Sequence, residues 1–238
     1  MKKFLPVIAA WSTGALLCLL ASCTQFFSTS LAPWAARDPA SLIPPVTTGN
    51  VHDLIGTAEN DPDMSLALLK GINDAMAGAS AEEKVKLQTA ALEVAVNASS
   101  LGPSLLNKVE DSSALAEDPQ KAKQMVLDSL NDMENLTSTA DTLALILPDP
   151  SDEAAFGAFT DTADADSLAM AAAVLLAAEA KKEANSGDFL ENFDPADTAL
   201  SDSAKLAVKL AEAAKTKNDN NNEGSGMLKD MLEGLNLS

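Results

Sequence analysis

Between Leu168 and Ala178 the chain reads Leu-Ala-Met-Ala-Ala-Ala-Val-Leu-Leu-Ala-Ala, eleven positions without one polar side chain. Such a run has no face to offer water, and its Ala and Leu favour a helix, so it predicts a helix buried on all sides. Asp164 and Asp166 stand at its start, Lys181 and Lys182 in its last turn and Gly187 just beyond. These are the positions where the helix dipole favours acids and bases and where glycine ends a helix. Residues 165–184 are therefore expected to be the central helix of the domain.

The flanking sequence repeats helical signals. Asn50 is positioned to cap a short helix carrying Val51, Leu54 and Ile55. Asp61-Pro62 restarts the chain ahead of Leu66, Leu68, Leu69 and Ile72. Ser80 and Glu83 have capping-box spacing before Val85, Leu87, Leu92 and Val96. Gly102-Pro103 stops that helix, and Asp118-Pro119 opens one leading to Met125, Leu130, Met133 and Leu136. Leu143–Leu147 ends at Pro148, and a last long helix runs from Asp202 to Lys215. Asp-Pro pairs begin at 38, 61, 118, 149 and 194, unevenly spaced, as helix starts are and strict repeats are not. No segment alternates apolar and polar residues with β-branched enrichment, so a sheet is not expected. The predicted fold is all-α, either α-solenoid-like or an irregular helical bundle. Leu87–Ala98, Leu-Gln-Thr-Ala-Ala-Leu-Glu-Val-Ala-Val-Asn-Ala, resembles the second helix of a HEAT or armadillo-type repeat, over about one repeat length.

The N-terminus carries a different signal. Lys2 and Lys3 precede a mostly apolar stretch from Phe4 to Leu20, followed by the small residues Ala21 and Ser22 and then Cys23. That is the three-part pattern of an export signal. Leu20-Ala21-Ser22-Cys23 resembles the lipobox of bacterial lipoproteins. The resemblance implies cleavage before Cys23 and acylation of that residue, with its covalent acyl chains as the only added group and no other cofactor. Two or more chains hold firmly, at about 0.8 kcal/mol per buried methylene. Thr24 stands where the family's inner-membrane retention signal would place Asp, which favours outer-membrane sorting in a cell with two membranes. Expected boundaries are a signal over 1–22, an acylated cysteine and tether over 23–49, a helical domain over 50–215, a polar linker over 216–226 and a short amphipathic helix over 227–238. The tether reading rests on Pro33, Pro39, Pro44 and Pro45. In the last helix Met227, Leu228, Met231, Leu232 and Leu235 share one face, a candidate partner-binding motif.

Composition narrows the chemistry. There are 35 acidic and 16 basic residues; without Lys2 and Lys3, 14 bases remain and the net charge is −21. Phosphate backbones need a basic face, so nucleic acid is not an expected partner. Removal of Cys18 with the signal would leave no free thiol and no disulfide. His52, the single histidine, is expected on the surface of a first helical turn. A weak calcium candidate is the loop Asp219-Asn220-Asn221-Asn222-Glu223-Gly224 with Asp230 at the twelfth position, although Gly226 departs from the EF-hand pattern. Phe156 with Phe159, and Phe189 with Phe193, have helical spacing and are expected as core plugs or as the lining of an apolar pocket.

These readings converge on a non-enzymatic, lipid-anchored helical module of the cell envelope, facing periplasm or exterior. It would be held to the membrane through its anchor and would bind an envelope protein. The alternative is a ligand-binding lipoprotein carrying an apolar or small solute, accessory to a transporter.

Overall fold

Aspartate and serine side chains begin most of the helices. The computed structural model describes residues 38–101, 128–183 and 186–221. The signal, Cys23, Gly102-Pro103, Asp118-Pro119, Met125 and the segment from Met227 onward lie outside the described residues. The described helices are α1 (Val51–Ala58), α2 (Pro62–Met76), α3 (Ala81–Ser99), α4 (Leu136–Ile146), α5 (Glu153–Thr162), α6 (Ala165–Lys182), α7 (Ser186–Glu191) and α8 (Asp202–Asn221). Residues 128–132 are also helical, and no strand occurs among the described residues. The fold is all-α. Helix lengths from 6 to 20 residues follow no fixed period.

The chain divides into two units, Met1–Leu42 and Ile43–Ser238. Of the first, the described part is a 3-10 turn over Pro39–Leu42. There the Asp38 carboxylate accepts the Ala40 backbone N–H at 3.0 Å.

All the helices α1–α8 belong to the second unit. It begins at Ile43, upstream of the expected domain start at Asn50. Val46 is only 8% exposed. It packs so closely on α2 that a Cβ at Gly71 would lie 2.8 Å from Val46 Cγ2. Glycine is what lets this segment lie against the helix. Asn50 does not cap α1 with its side chain. Its amide accepts the Thr47 N–H at 2.8 Å and donates to the Pro45 carbonyl at 3.0 Å, folding residues 45–50 into a turn.

Other caps match the expectation. Asp61 accepts the backbone N–H groups of Asp63 and Met64, with Pro62 in the first helical turn. Ser80 and Glu83 close a reciprocal capping box on α3. Asp164 accepts the Ser167 N–H at 2.8 Å and opens α6. The Asp-Pro pairs behave less uniformly. Asp61-Pro62 starts an α-helix, whereas Asp149 and Asp194 bind N–H groups two residues ahead and form turns. Asp152, not Asp149, then caps α5.

Helix α6 ends at Lys182 because Glu183 turns to an extended conformation. Gly187 is therefore not its cap but part of α7. Leu168, Ala171, Ala172, Val174, Leu175 and Ala178 have no exposed surface, whereas Met170 and Ala173, on one stripe of the same run, are only partly buried, so the helix is not covered on every side. Helix α6 packs on α3, α4, α7 and α8, and α3 packs on α1, α2, α4 and α5 as well. Alanines along α6 allow close helix approach, since interaxial distance follows the side chains at the contact. Among the described residues no helix is long and apolar enough to cross a membrane.

Candidate functional site

The α4–α5 connection forms one wall of the larger of two clefts. After Ile146 the chain leaves the helix through Leu147, Pro148, Asp149 and Pro150, where two prolines deny backbone donors. The Asp149 carboxylate accepts the Ser151 N–H at 2.8 Å, and this bond holds its pKa below the usual carboxylate range. On the other wall the N-terminal half of α8 presents Lys205, Leu206, Val208, Lys209 and Glu212. The space between is about 710 Å³. Lys209 pairs with Glu212 at 2.7 Å, and Lys205 lies 3.9 Å from Asp202. The result is an apolar channel with charged edges.

The second cleft, about 690 Å³, lies between the first turns of α3 and the face of α5 carrying Ala154, Ala155 and Ala158. Its rim holds Glu82 and Lys86, paired at 2.8 Å. That hydrogen bond holds Glu82 below, and Lys86 above, their usual values. Gln88 lines this cleft, is 6% exposed, and donates its amide to the Ile146 carbonyl at 3.0 Å. It thereby satisfies a terminal carbonyl of α4 that the helix itself leaves open.

Two polar clusters tie the frame together. Lys181 donates to the carbonyls of Met133 at 2.7 Å and Asn131 at 3.2 Å. Lys182 bridges Asp141 and Glu179, both at 2.9 Å. Burial works against the Lys182 charge, but its hydrogen bonds to the Asp141 and Glu179 carboxylates outweigh it and hold the ammonium's pKa above its usual value. Glu179 also accepts the Ser201 hydroxyl at 2.5 Å, fastening the approach to α8.

Each expected site residue in the described regions has a definite place. Phe159 is fully buried, and Phe156, Phe189 and Phe193 pack against the core. The rings pair as Phe156–Phe159, edge-on at 6.2 Å, and Phe189–Phe193, tilted at 5.7 Å. None of the four lines either cleft. His52 is exposed on α1 and also lies outside both clefts.

Only the start of the calcium candidate falls on described residues. Helix α8 continues to Asn221, through the start of the expected linker. Asp219 sits in that helix and accepts Lys215 at 2.7 Å, an i,i+4 pair. Glu223 and Asp230 lie outside the described residues, as do Cys23 and the Met227–Leu235 face. No cluster of three or more metal-binding side chains occurs among the described residues. From sequence the cleft-lining residues Leu147, Pro148, Leu206 and Val208 read only as helix positions and a helix end, and Asp149-Pro150 only as a helix start.

The site is thus a pair of open grooves on an all-α frame, and what it offers chemically is apolar surface with ion-paired rims. No protein family, curated protein or solved structure matches the chain.

Proposed function

We propose that this chain is a bacterial lipoprotein, anchored in the cell envelope by acyl chains on Cys23, whose helical unit acts as a non-enzymatic protein-interaction module. The observation that carries this reading is Leu20-Ala21-Ser22-Cys23 directly after a basic start and an apolar stretch. An all-α frame with open, apolar, ion-rimmed clefts supports it, because such surfaces suit partner binding better than bond-making chemistry. On this reading the anchor and not electrostatics holds the chain at the membrane, because a chain with 35 acids against 16 bases is repelled by anionic lipid.

The test is metabolic labelling with an alkyne fatty acid in a bacterial host, followed by in-cell crosslinking and mass spectrometry. The expected result is label on a peptide beginning at Cys23, loss of label in Cys23→Ala, and one near-stoichiometric protein partner. Label without a partner, together with an apolar solute in the native mass spectrum, would replace the module by a ligand carrier. No label on Cys23 would overturn the anchor.

A further inference from the structure

We propose that Glu179, acting through the Ser201 hydroxyl, is a latch on the first turn of α8. Closed, it holds that turn in the wall of the larger cleft; released, it lets the turn open while the rest of α8 stays packed. This inference is independent of the anchor and of any partner.

The latch is a relay of charged hydrogen bonds. Glu179 lies on α6 with its side chain only 14% exposed, and both of its oxygens are engaged. Oε1 accepts from Lys182 at 2.9 Å, and Lys182 donates in turn to Asp141 on α4. Oε2 accepts the Ser201 hydroxyl at 2.5 Å. Ser201 stands at the N-cap position of α8. Its Oγ accepts the Ala204 N–H at 3.1 Å, and its carbonyl accepts the Lys205 N–H at 2.9 Å.

A hydroxyl has one proton to donate. With that proton on a carboxylate, the oxygen is polarised and its lone pairs are left for the helix N–H. The negative charge also lies where the dipole of α8 favours it. A carboxylate of α6 thus caps α8 through a serine 22 positions away.

Burial on either side of Ser201 makes the opening local. Before it, Asp194 and Asp197 bond the N–H groups of Ala196 and Ala199, two residues ahead, and residues 196–199 are exposed. After it, Asp202 and Lys205 are exposed and Ser203 is half-buried, so Ala204 is the one buried side chain before Leu206. Leu206, Ala207, Leu210 and Ala211 then belong to the core. Opening residues 202–205 uncovers one methyl group, whereas opening further uncovers leucines. Asp202, Ser203 and Lys205, which move with the turn, all line the cleft.

Amide hydrogen exchange in the full chain in detergent, read by NMR at zero and low urea, tests the latch. Glu179→Ala is expected to speed exchange at Ala204 and Lys205 about fivefold or more, the size of a lost N-cap, and to leave Leu210 and Ala211 unchanged. The acceleration should not depend on urea, as for local opening. Ser201→Ala should give the same acceleration, and the double variant no more than either single one. Unchanged rates at Ala204 and Lys205 in Glu179→Ala would overturn the proposal, because Ser201 would then cap α8 alone. Equal acceleration along all of α8, or additive effects in the double variant, would overturn it too. If Glu179→Ala does not fold, Glu179→Gln keeps a neutral acceptor for Ser201. It should then give a smaller acceleration confined to the same two amides, and a spread along α8 would refute the latch.

Discussion

Thr139 is fully buried on α4, and its hydroxyl has no hydrogen-bond partner. A buried hydroxyl left unpaired costs on the order of 1–3 kcal/mol, whereas a methyl of the same shape costs nothing there. Thr139→Val is therefore expected to stabilise the protein by about 1 kcal/mol, read as a higher urea midpoint at unchanged slope. A lower midpoint would mean that the hydroxyl is satisfied in solution. Residues nearby show the opposite case. Gln88 is nearly as buried, but its amide reaches the Ile146 carbonyl and its burial is compensated. Whether a polar residue helps or harms the core is decided by a partner 58 positions away in the chain.

Helix α3 depends on its N-terminal box. The Ser80 N–H and hydroxyl both donate to Glu83, and Glu83 returns its backbone N–H to the Ser80 oxygen. The Ser80 backbone N–H, followed by its hydroxyl, holds the Glu83 carboxyl below its usual range. Ser80→Ala is expected to cost about 1 kcal/mol at neutral pH. Because the folded-state pKa of Glu83 is depressed, its share of this stability is present above the ordinary carboxylate range and is lost as pH falls through it. The gap between parent and Ser80→Ala should accordingly narrow in acid. Denaturation curves at neutral pH and near pH 3.5 check the sign, and a gap that widens in acid would refute the assignment. At the other end of the chain, α8 extends to Asn221 through a stretch whose composition suggests a linker. Lys215–Asp219 pairs along the helix, and Lys217 donates to the Asp161 carbonyl on α5 at 2.9 Å. Such local pairs add only tenths of a kcal/mol each. The packing of Leu206, Leu210 and Ala214 on α6 does more to hold the helix.

Across the whole molecule a net charge of −19 works against compactness. The ion pairs Lys86–Glu82, Lys205–Asp202 and Lys209–Glu212 are all exposed, so they offset little of the repulsion. Raising ionic strength from about 0.01 M to about 0.15 M shortens the screening length from about 30 Å to about 8 Å. The midpoint of thermal unfolding is expected to rise by a few degrees over that range at pH 7. A flat or falling midpoint would show that the charges are already balanced locally.

The sequence by itself determined the helical class, the start of most helices and the position of the central one. Those properties are local: a cap needs three or four residues, and an apolar run with acids before it and lysines after it can be only one kind of helix. Tertiary structure decided the rest. Gly71 and Val46 meet across 25 positions, which drew the upstream turn into the helical unit, and α8 carries Lys217, bonded to the Asp161 carbonyl on α5, and Asp219 where the composition suggests a linker. Of the phenylalanines, legible as core or pocket, Phe159 on α5 is fully buried, and Phe156, Phe189 and Phe193 pack partly buried against the core. The clefts were not legible at all. Their walls come from segments fifty or more residues apart, and a groove is a property of two surfaces that local sequence describes only one at a time.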